Sequence, residues 1–289
     1  MKLPAFEYAC PSSVSEAVAL LAAHDGEAKL LAGGQSLVPM LAFRLARPAL
    51  LVDLRKLAEL RGIRITEHGV TLGAMTRWRD IEDDARLAVA HPLLKAAVAH
   101  IAHYQIRNRG TVGGSLAHAD PAAEMPGIAV TCDAEIGVVG TSGARTIKAD
   151  DFFESALSTT LAPDEIITEV RLPAWPAQRR WGFQEFARRR GDFAMAGAAL
   201  FYDADGQGRA SNAHVGVIGV GDRARRLPAV ESVLNGRVID EATIAVADQA
   251  ACGAVDAQED IHASAAYRRS LTGTMVERAL KQAAAEPNR

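Results

Sequence analysis

Two short stretches replace side chains with bare backbone beside hydroxyl groups: Ala32-Gly33-Gly34-Gln35-Ser36-Leu37 and Thr111-Val112-Gly113-Gly114-Ser115. Consecutive glycines let a backbone come close to a ligand, and the N–H groups of such a turn, with a helix start behind them, hold phosphate oxygens without a lysine. Ser36, Thr111 and Ser115 add hydroxyl donors. Two such turns can grip one anionic ligand from two sides, although each alone reads first as a tight turn. Neither is a Walker loop, because the spacing and the terminal Lys-Ser/Thr are missing. A third glycine pattern, Gly219-Val220-Gly221-Asp222-Arg223-Ala224, matches the dinucleotide fingerprint after an apolar strand. Pro228 stands where the crossover helix should run, and no strand ending in an acidic residue follows. A structural turn is the preferred reading there.

Other reactive side chains point away from metal chemistry. Cys10, Cys132 and Cys252 lie far apart, so the sequence encodes neither a disulfide framework nor a zinc or iron-sulfur site, and the thiols read as inert. His100 and His103 are spaced as a ligand pair but lack an acidic or cysteine partner, and are expected to flank the central turn. A chain of 289 residues with 49% hydrophobic and 23% charged residues and a net charge of -3 describes a globular protein of two or three subdomains, with too little positive excess for nucleic acid. No run approaches the roughly 20 apolar residues of a membrane span and the first residues do not resemble a signal peptide, so a cytoplasmic location without membrane insertion is expected.

The elements that must carry these stretches can be read in outline. Residues 14–23 form an amphipathic helix capped by Ser13 or Ser15, residues 29–32 a strand, 36–45 a short helix and 50–54 another strand. This is a β-α-β unit with its glycine turn at the carboxyl end of a strand, where open α/β arrangements usually bind ligands. Residues 63–66 and 70–73 read as a hairpin, 78–85 and 92–101 as helices, and 135–139, 145–147 and 166–172 as strands. Residues 111–124 read as the central turn. The proline-punctuated crossing at 173–180 marks a boundary, beyond which strands at 195–202 and 213–220 precede helices at 239–251 and 264–284. The fold class is α+β, with expected units 1–57, 58–176 and 177–289.

Five motifs in order, Ala32-Gly33-Gly34-Gln35-Ser36-Leu37, Thr111-Val112-Gly113-Gly114-Ser115, Asp120-Pro121-Ala122-Ala123-Glu124, Asp164-Glu165-Ile166-Ile167-Thr168 and Arg189-Arg190-Gly191-Asp192-Phe193-Ala194, resemble the FAD-binding medium subunit of the molybdenum hydroxylases, the relatives of xanthine dehydrogenase and carbon monoxide dehydrogenase. The resemblance spans essentially the whole chain. It implies a two-lobed FAD-binding domain of the vanillyl-alcohol-oxidase (PCMH) type, followed by a C-terminal domain of a three-stranded antiparallel sheet on a helical layer. By the same resemblance, Ala32, Gly33, Gly34, Gln35, Ser36 and Leu37, with Thr111, Gly113, Gly114 and Ser115, form two loops whose amides hold the FAD pyrophosphate. Glu124 would contact the ribityl chain, Leu161 the adenine and Phe193 the isoalloxazine, and Ile101, His118 and Gln184 join the cofactor-binding set.

Two departures bear on the flavin: Gln35 stands where relatives often have His, and Gln184 falls near a position where several have Lys. A neutral amide stabilises a reduced, anionic flavin less than an ammonium does. No histidine is placed for a covalent link, so FAD is expected to bind non-covalently. The resemblance further implies an electron relay: a molybdenum cofactor on a large partner subunit, [2Fe-2S] clusters on a small one, and FAD here, in a dimer of heterotrimers. Arg107 and Arg109 could present charge to a partner. Two other readings stay open, an autonomous flavoenzyme using His118 or Tyr104 as acid or base, and a non-enzymatic nucleotide-binding scaffold.

Overall fold

The computed structural model describes residues 2–285. Its first unit is parallel: β1 (Glu7–Ala9), α1 (Val14–Ala22), β2 (Ala28–Leu31), α2 (Leu37–Ala42) and β3 (Leu50–Asp53), with sheet order β1-β3-β2. Ser13 is the α1 cap, its hydroxyl accepting from the Glu16 amide at 3.2 Å. Ala17, Val18 and Leu21 of that helix pack on Leu50 and Val52, and the chain leaves β2 directly into the first glycine loop.

The second unit comprises β4 (Ile63–Thr66), β5 (Gly69–Gly73), α3 (Trp78–Asp83), α4 (Leu87–Ala90), α5 (Pro92–Val98), α6 (Tyr104–Arg107), α7 (Val112–His118), α8 (Glu124–Thr131), β6 (Glu135–Gly140), β7 (Gly143–Lys148), α9 (Ala149–Phe152), β8 (Phe153–Ser155), β9 (Ser158–Thr159) and β10 (Ile166–Pro173). Its main sheet is antiparallel, ordered β4-β5-β10-β6-β7, and β8 pairs with β9. The stretch at 111–124 differs from the expected turn. It is mostly helix, because Thr111 caps α7 and the left-handed Ala119 (φ 52°) ends it before α8 begins.

Helix α5 is opened by His91, whose buried ring accepts from the Leu94 amide at 3.2 Å. Burial foremost, then the positive charge of Arg179, pushes its pKa down to about 3. The unfolded chain takes up the proton near pH 6.5 while the native state refuses it. Stability is therefore complete above about pH 6.5 and is lost as pH falls toward 3, at up to about 1.4 kcal/mol per pH unit for this one proton. Denaturant titrations of wild type and His91→Asn across that range should show the wild-type slope flattened in the variant.

The last unit holds β11 (Arg179–Phe186), β12 (Ala196–Ala204), β13 (Ala210–Ile218), β14 (Arg225–Arg226), α10 (Pro228–Leu234), α11 (Glu241–Ala254) and α12 (Ala265–Ala285). The expected three-stranded sheet has a fourth, two-residue edge strand, β14, paired to Gly216 and Val217. Both faces of the sheet are covered. Ala198, Leu200 and Tyr202 meet the helical layer, whereas Ala199 and Phe201 join the core of the second unit. This double burial explains why β12 is an unbroken apolar run instead of an alternating one.

Candidate cofactor site

At the end of β2, the amides of Gly33, Gly34, Gln35, Ser36 and Leu37 donate to nothing among the described residues. A half-buried run of five open donors is unusual, since backbone polar groups are normally paired. The loop is held in this state by its own residues. Gln35 donates from Nε2 to the Gly33 carbonyl at 3.1 Å, Gly34 takes a positive φ of 73°, and Val38 donates to the Gly34 carbonyl at 3.1 Å to start α2. The Ser36 hydroxyl makes no capping bond and stays available. Such a concave row of N–H dipoles is suited to an anion such as a pyrophosphate.

The second glycine stretch lies against the first. A Cβ on Gly33 would overlap the Arg109 carbonyl and approach Gly110 Cα at 2.9 Å, and one on Gly114 would stand 3.7 Å from Ala32 Cβ. The two loops thus meet backbone to backbone, as the sequence motifs suggest. Their donors differ, however. Val112 N–H goes to Thr76 O at 3.0 Å, Gly113 N–H to Ala74 O at 2.8 Å, Gly114 N–H to Thr111 Oγ1 at 3.2 Å and Ser115 N–H to Thr111 O at 3.0 Å. Helix capping and docking onto Ala74 thus engage the amides of residues 112–115 within the chain. What this side offers is the Thr111 and Ser115 hydroxyls and the bare surface of Gly114.

Around the paired loops the other singled-out residues fall into distinct places. The hairpin β8-β9 touches α7, with Leu157 N–H donating to Ala119 O at 3.1 Å, which sets half-buried Leu161 near the same helix. Next to it, the buried Thr160 hydroxyl has no hydrogen-bond partner. His118 is half-buried at the end of α7. Phe193 is 71% exposed, in a loop whose Gly191 packs against His103 and the Ala102 carbonyl. Ile101 is 8% exposed in the core of the second unit, and its carbonyl accepts from Arg107 Nη1 at 3.0 Å. Arg107 is further bound to Glu82 at 3.1 Å, so only Arg109 of the pair keeps an exposed charge.

Two neighbours on β11 face opposite ways. Gln184 donates to Gln282 Oε1 of α12 at 3.0 Å, on the side away from α5 and α8. Glu185 turns toward α5, with Oε1 at 3.3 Å from His100 Nδ1. Its charge bears on Glu124, the first residue of α8, which burial raises to about pH 8 with Glu185 and then Asp120 adding to the shift. Glu185 was missed in the sequence because no local motif marks it. The Gly219 pattern leads from β13 into β14 and no helix follows directly; Gly219, with φ 75°, donates to Pro121 O at 2.8 Å and serves as a turn.

Residues 4–175 match the FAD binding domain in molybdopterin dehydrogenase, and residues 181–283 the CO dehydrogenase flavoprotein C-terminal domain. The chain belongs to the FAD-binding subunits of the molybdenum hydroxylases. It is 41% identical to the 6-hydroxypseudooxynicotine dehydrogenase complex subunit alpha of Paenarthrobacter nicotinovorans, covering 98% of this chain and 96% of that one. It is 40% identical to the nicotine 6-hydroxylase medium subunit of the same organism, covering 99% of each. Among solved structures, carbon monoxide dehydrogenase from Hydrogenophaga pseudoflava superimposes with a TM-score of 0.96 at 39% identity over 99% of both chains. Quinoline 2-oxidoreductase from Pseudomonas putida 86 gives 0.94 at 39% identity over 100% of both. A flavin dinucleotide fits the residues present: the open amides suit its pyrophosphate.

Proposed function

We propose that this flavoprotein subunit binds FAD non-covalently and relays electrons from the iron-sulfur clusters of a small partner subunit to an external acceptor, the molybdenum cofactor residing on a large partner. Bound FAD exchanges electrons singly or in pairs, which would link one-electron clusters to one- or two-electron acceptors alike. The protein supplies position and field. The open amides of Gly33, Gly34, Gln35, Ser36 and Leu37 carry this reading: they would take the pyrophosphate, with Thr111 and Ser115 hydroxyls on the opposite side. Glu124 would meet the ribityl chain and Leu161 the adenine end, while Phe193, exposed on its loop, would reach the isoalloxazine.

Gln184 stands outside that first contact set, since its amide is engaged by Gln282. The same reading divides the chain into two FAD-binding lobes of the PCMH type, 1–57 and 58–176, and a C-terminal domain, 177–289, assembled with its partners as a dimer of heterotrimers in the cytoplasm. The separate parallel and antiparallel sheets support the two lobes. No helix among the described residues is long and apolar enough to cross a membrane. Co-expression with the two neighbouring subunits, followed by flavin absorbance and metal analysis of the purified complex, tests the assignment. One FAD per copy of this chain, released by acid, is the expected result; a colourless complex after incubation with FAD would sink it.

A further inference from the structure

The tip of the hairpin between β11 and β12 carries three successive exposed arginines, Arg188, Arg189 and Arg190, and none has an ion pair or side-chain hydrogen bond among the described residues. The tip itself is held in place. Met195 N–H donates to the Phe186 carbonyl at 2.8 Å and Asp192 N–H to the Arg189 carbonyl at 3.1 Å, while a Cβ on Gly191 (φ 87°) would stand 2.8 Å from the Ala102 carbonyl. That contact seats the arginines beside α6, whose other end runs into Arg109, a fourth exposed arginine without an ion pair. The Arg109 carbonyl lies against Gly33, so this cationic face adjoins the loop of open amides. Neighbouring acids do not cancel it: Glu82 and Asp83 are engaged by Arg79 and Arg107, and the tip contributes one carboxylate, Asp192. Four unpaired cations thus gather on one face of a chain whose net charge is -3. Tyr104 of α6, 55% exposed, and Phe193 of the tip, 71% exposed, add aromatic surface to it. Arginine beside exposed aromatic rings is the composition that protein contacts favour.

We propose that Arg188, Arg189, Arg190 and Arg109 form the docking face for an acidic electron-carrier protein, the external acceptor of the relay. The inference rests on the FAD assignment above, because docking here serves electron transfer only if the adjoining loop holds the flavin. Like charges held side by side repel one another, and the carboxylates of a partner relieve that repulsion. The guanidinium forks match carboxylates in pairs, and charges left at the rim steer the encounter and are screened by salt, which suits a contact that forms and releases quickly. A lipid surface fits the face less well, since a hairpin tip and the four-residue α6 offer no long amphipathic helix to lie in a bilayer.

The test uses the complex of this chain with its large and small partners, and two ferric c-type cytochromes as probes, one acidic and one basic. Wild type should bind the acidic cytochrome at about 10 mM salt, where charges act over about 30 Å, and release it at about 1 M, where they act over about 3 Å. The triple variant Arg188→Glu, Arg189→Glu, Arg190→Glu should bind it at least about tenfold more weakly and gain affinity for the basic one, with Arg109→Glu showing a smaller loss. After reduction of the complex by limiting dithionite, the acidic cytochrome should be reduced faster than the basic one, each ferric haem taking one electron, and the triple variant should reverse that order. Circular dichroism and flavin absorbance on every sample verify that these exposed substitutions leave fold and cofactor alone. Equal affinity of wild type and triple variant for the acidic probe, binding without any difference in haem reduction, or binding that survives high salt overturns the proposal. Loss of the partner subunits from the triple variant overturns it too, making the face a subunit contact. Charge-dependent binding to vesicles of phosphatidylserine and phosphatidylcholine without cytochrome binding would make it a membrane contact instead. Flavin content separates the two claims: a yellow complex that ignores the acidic probe sinks the docking face alone, whereas a colourless one sinks the FAD assignment.

Discussion

Gly33→Ala should lower FAD occupancy at least about tenfold while leaving the far-ultraviolet circular dichroism native. The residue has no positive φ, so alanine is not disfavoured by backbone conformation there. The obstacle is that the new methyl would overlap the Arg109 carbonyl and crowd Gly110 Cα, both main-chain atoms that cannot rotate aside. Overpacking of this kind costs about 1–3 kcal/mol, and the cheapest relief is to part the two loops. Parting them spoils the row of amides from Gly33 to Leu37, and 1.4 kcal/mol of lost alignment already equals a tenfold weaker complex. Gly34→Ala is the instructive control. Its methyl would meet only the Val38 and Leu31 side chains, and its penalty is the positive φ of 73°, about 1–2 kcal/mol of local strain. Flavin absorbance per protein should therefore fall further for Gly33→Ala, and truncating the Arg109 side chain should not rescue it, because the clash is with main chain.

The first unit was legible because each local signal agreed with its neighbour: a Ser13 cap, an amphipathic α1, apolar β2 and β3, and glycines where β2 ends. The helix at the second loop was not legible for a physical reason. Twin glycines oppose helix formation, yet Thr111 caps the turn, and the absence of a side chain at Gly113 lets α7 close onto Ala74; tertiary packing outweighs propensity. The motif was recognised, but the consequence for its amides was not, since hydrogen bonds to Ala74 and Thr76 join residues distant in sequence. Strand β11 hid behind the prolines of 173–176 and its own arginines, and β14 is too short to leave a periodic trace. Glu185 is the clearest case. Its contact with His100 joins residues distant in sequence, and no spacing rule reaches that far.

The largest stability effect should come from Arg268→Leu, in the helical layer well away from the flavin loops. Arg268 is 7% exposed on α12, and its guanidinium donates to the Met195 carbonyl at 2.9 Å, to the Gly219 carbonyl, and to Asp260 Oδ2 at 2.7 Å. Leucine fills similar space but leaves two buried carbonyls unpaired, a loss of about 3–5 kcal/mol by analogy with breaking other buried charge contacts. For a chain of this size the melting temperature should drop by roughly 10 °C, read by scanning calorimetry. Lysine should restore only part of it, because one ammonium cannot span the fork that a guanidinium provides. Asp260→Ala removes the outer contact together with the two amide bonds, from His262 and Ala263, that the carboxylate also accepts, and because that carboxylate is nearly half exposed the loss should stay well below that of Arg268→Leu. The effect also reaches the site. Gly219, held at its carbonyl by Arg268, holds Pro121 through its amide, and Pro121 sits between Asp120 and Glu124. Loosening that turn frees the connection that leads into Glu124 and α8, so Arg268→Leu should weaken FAD retention at temperatures where the chain is still folded, while Asp260→Ala should not.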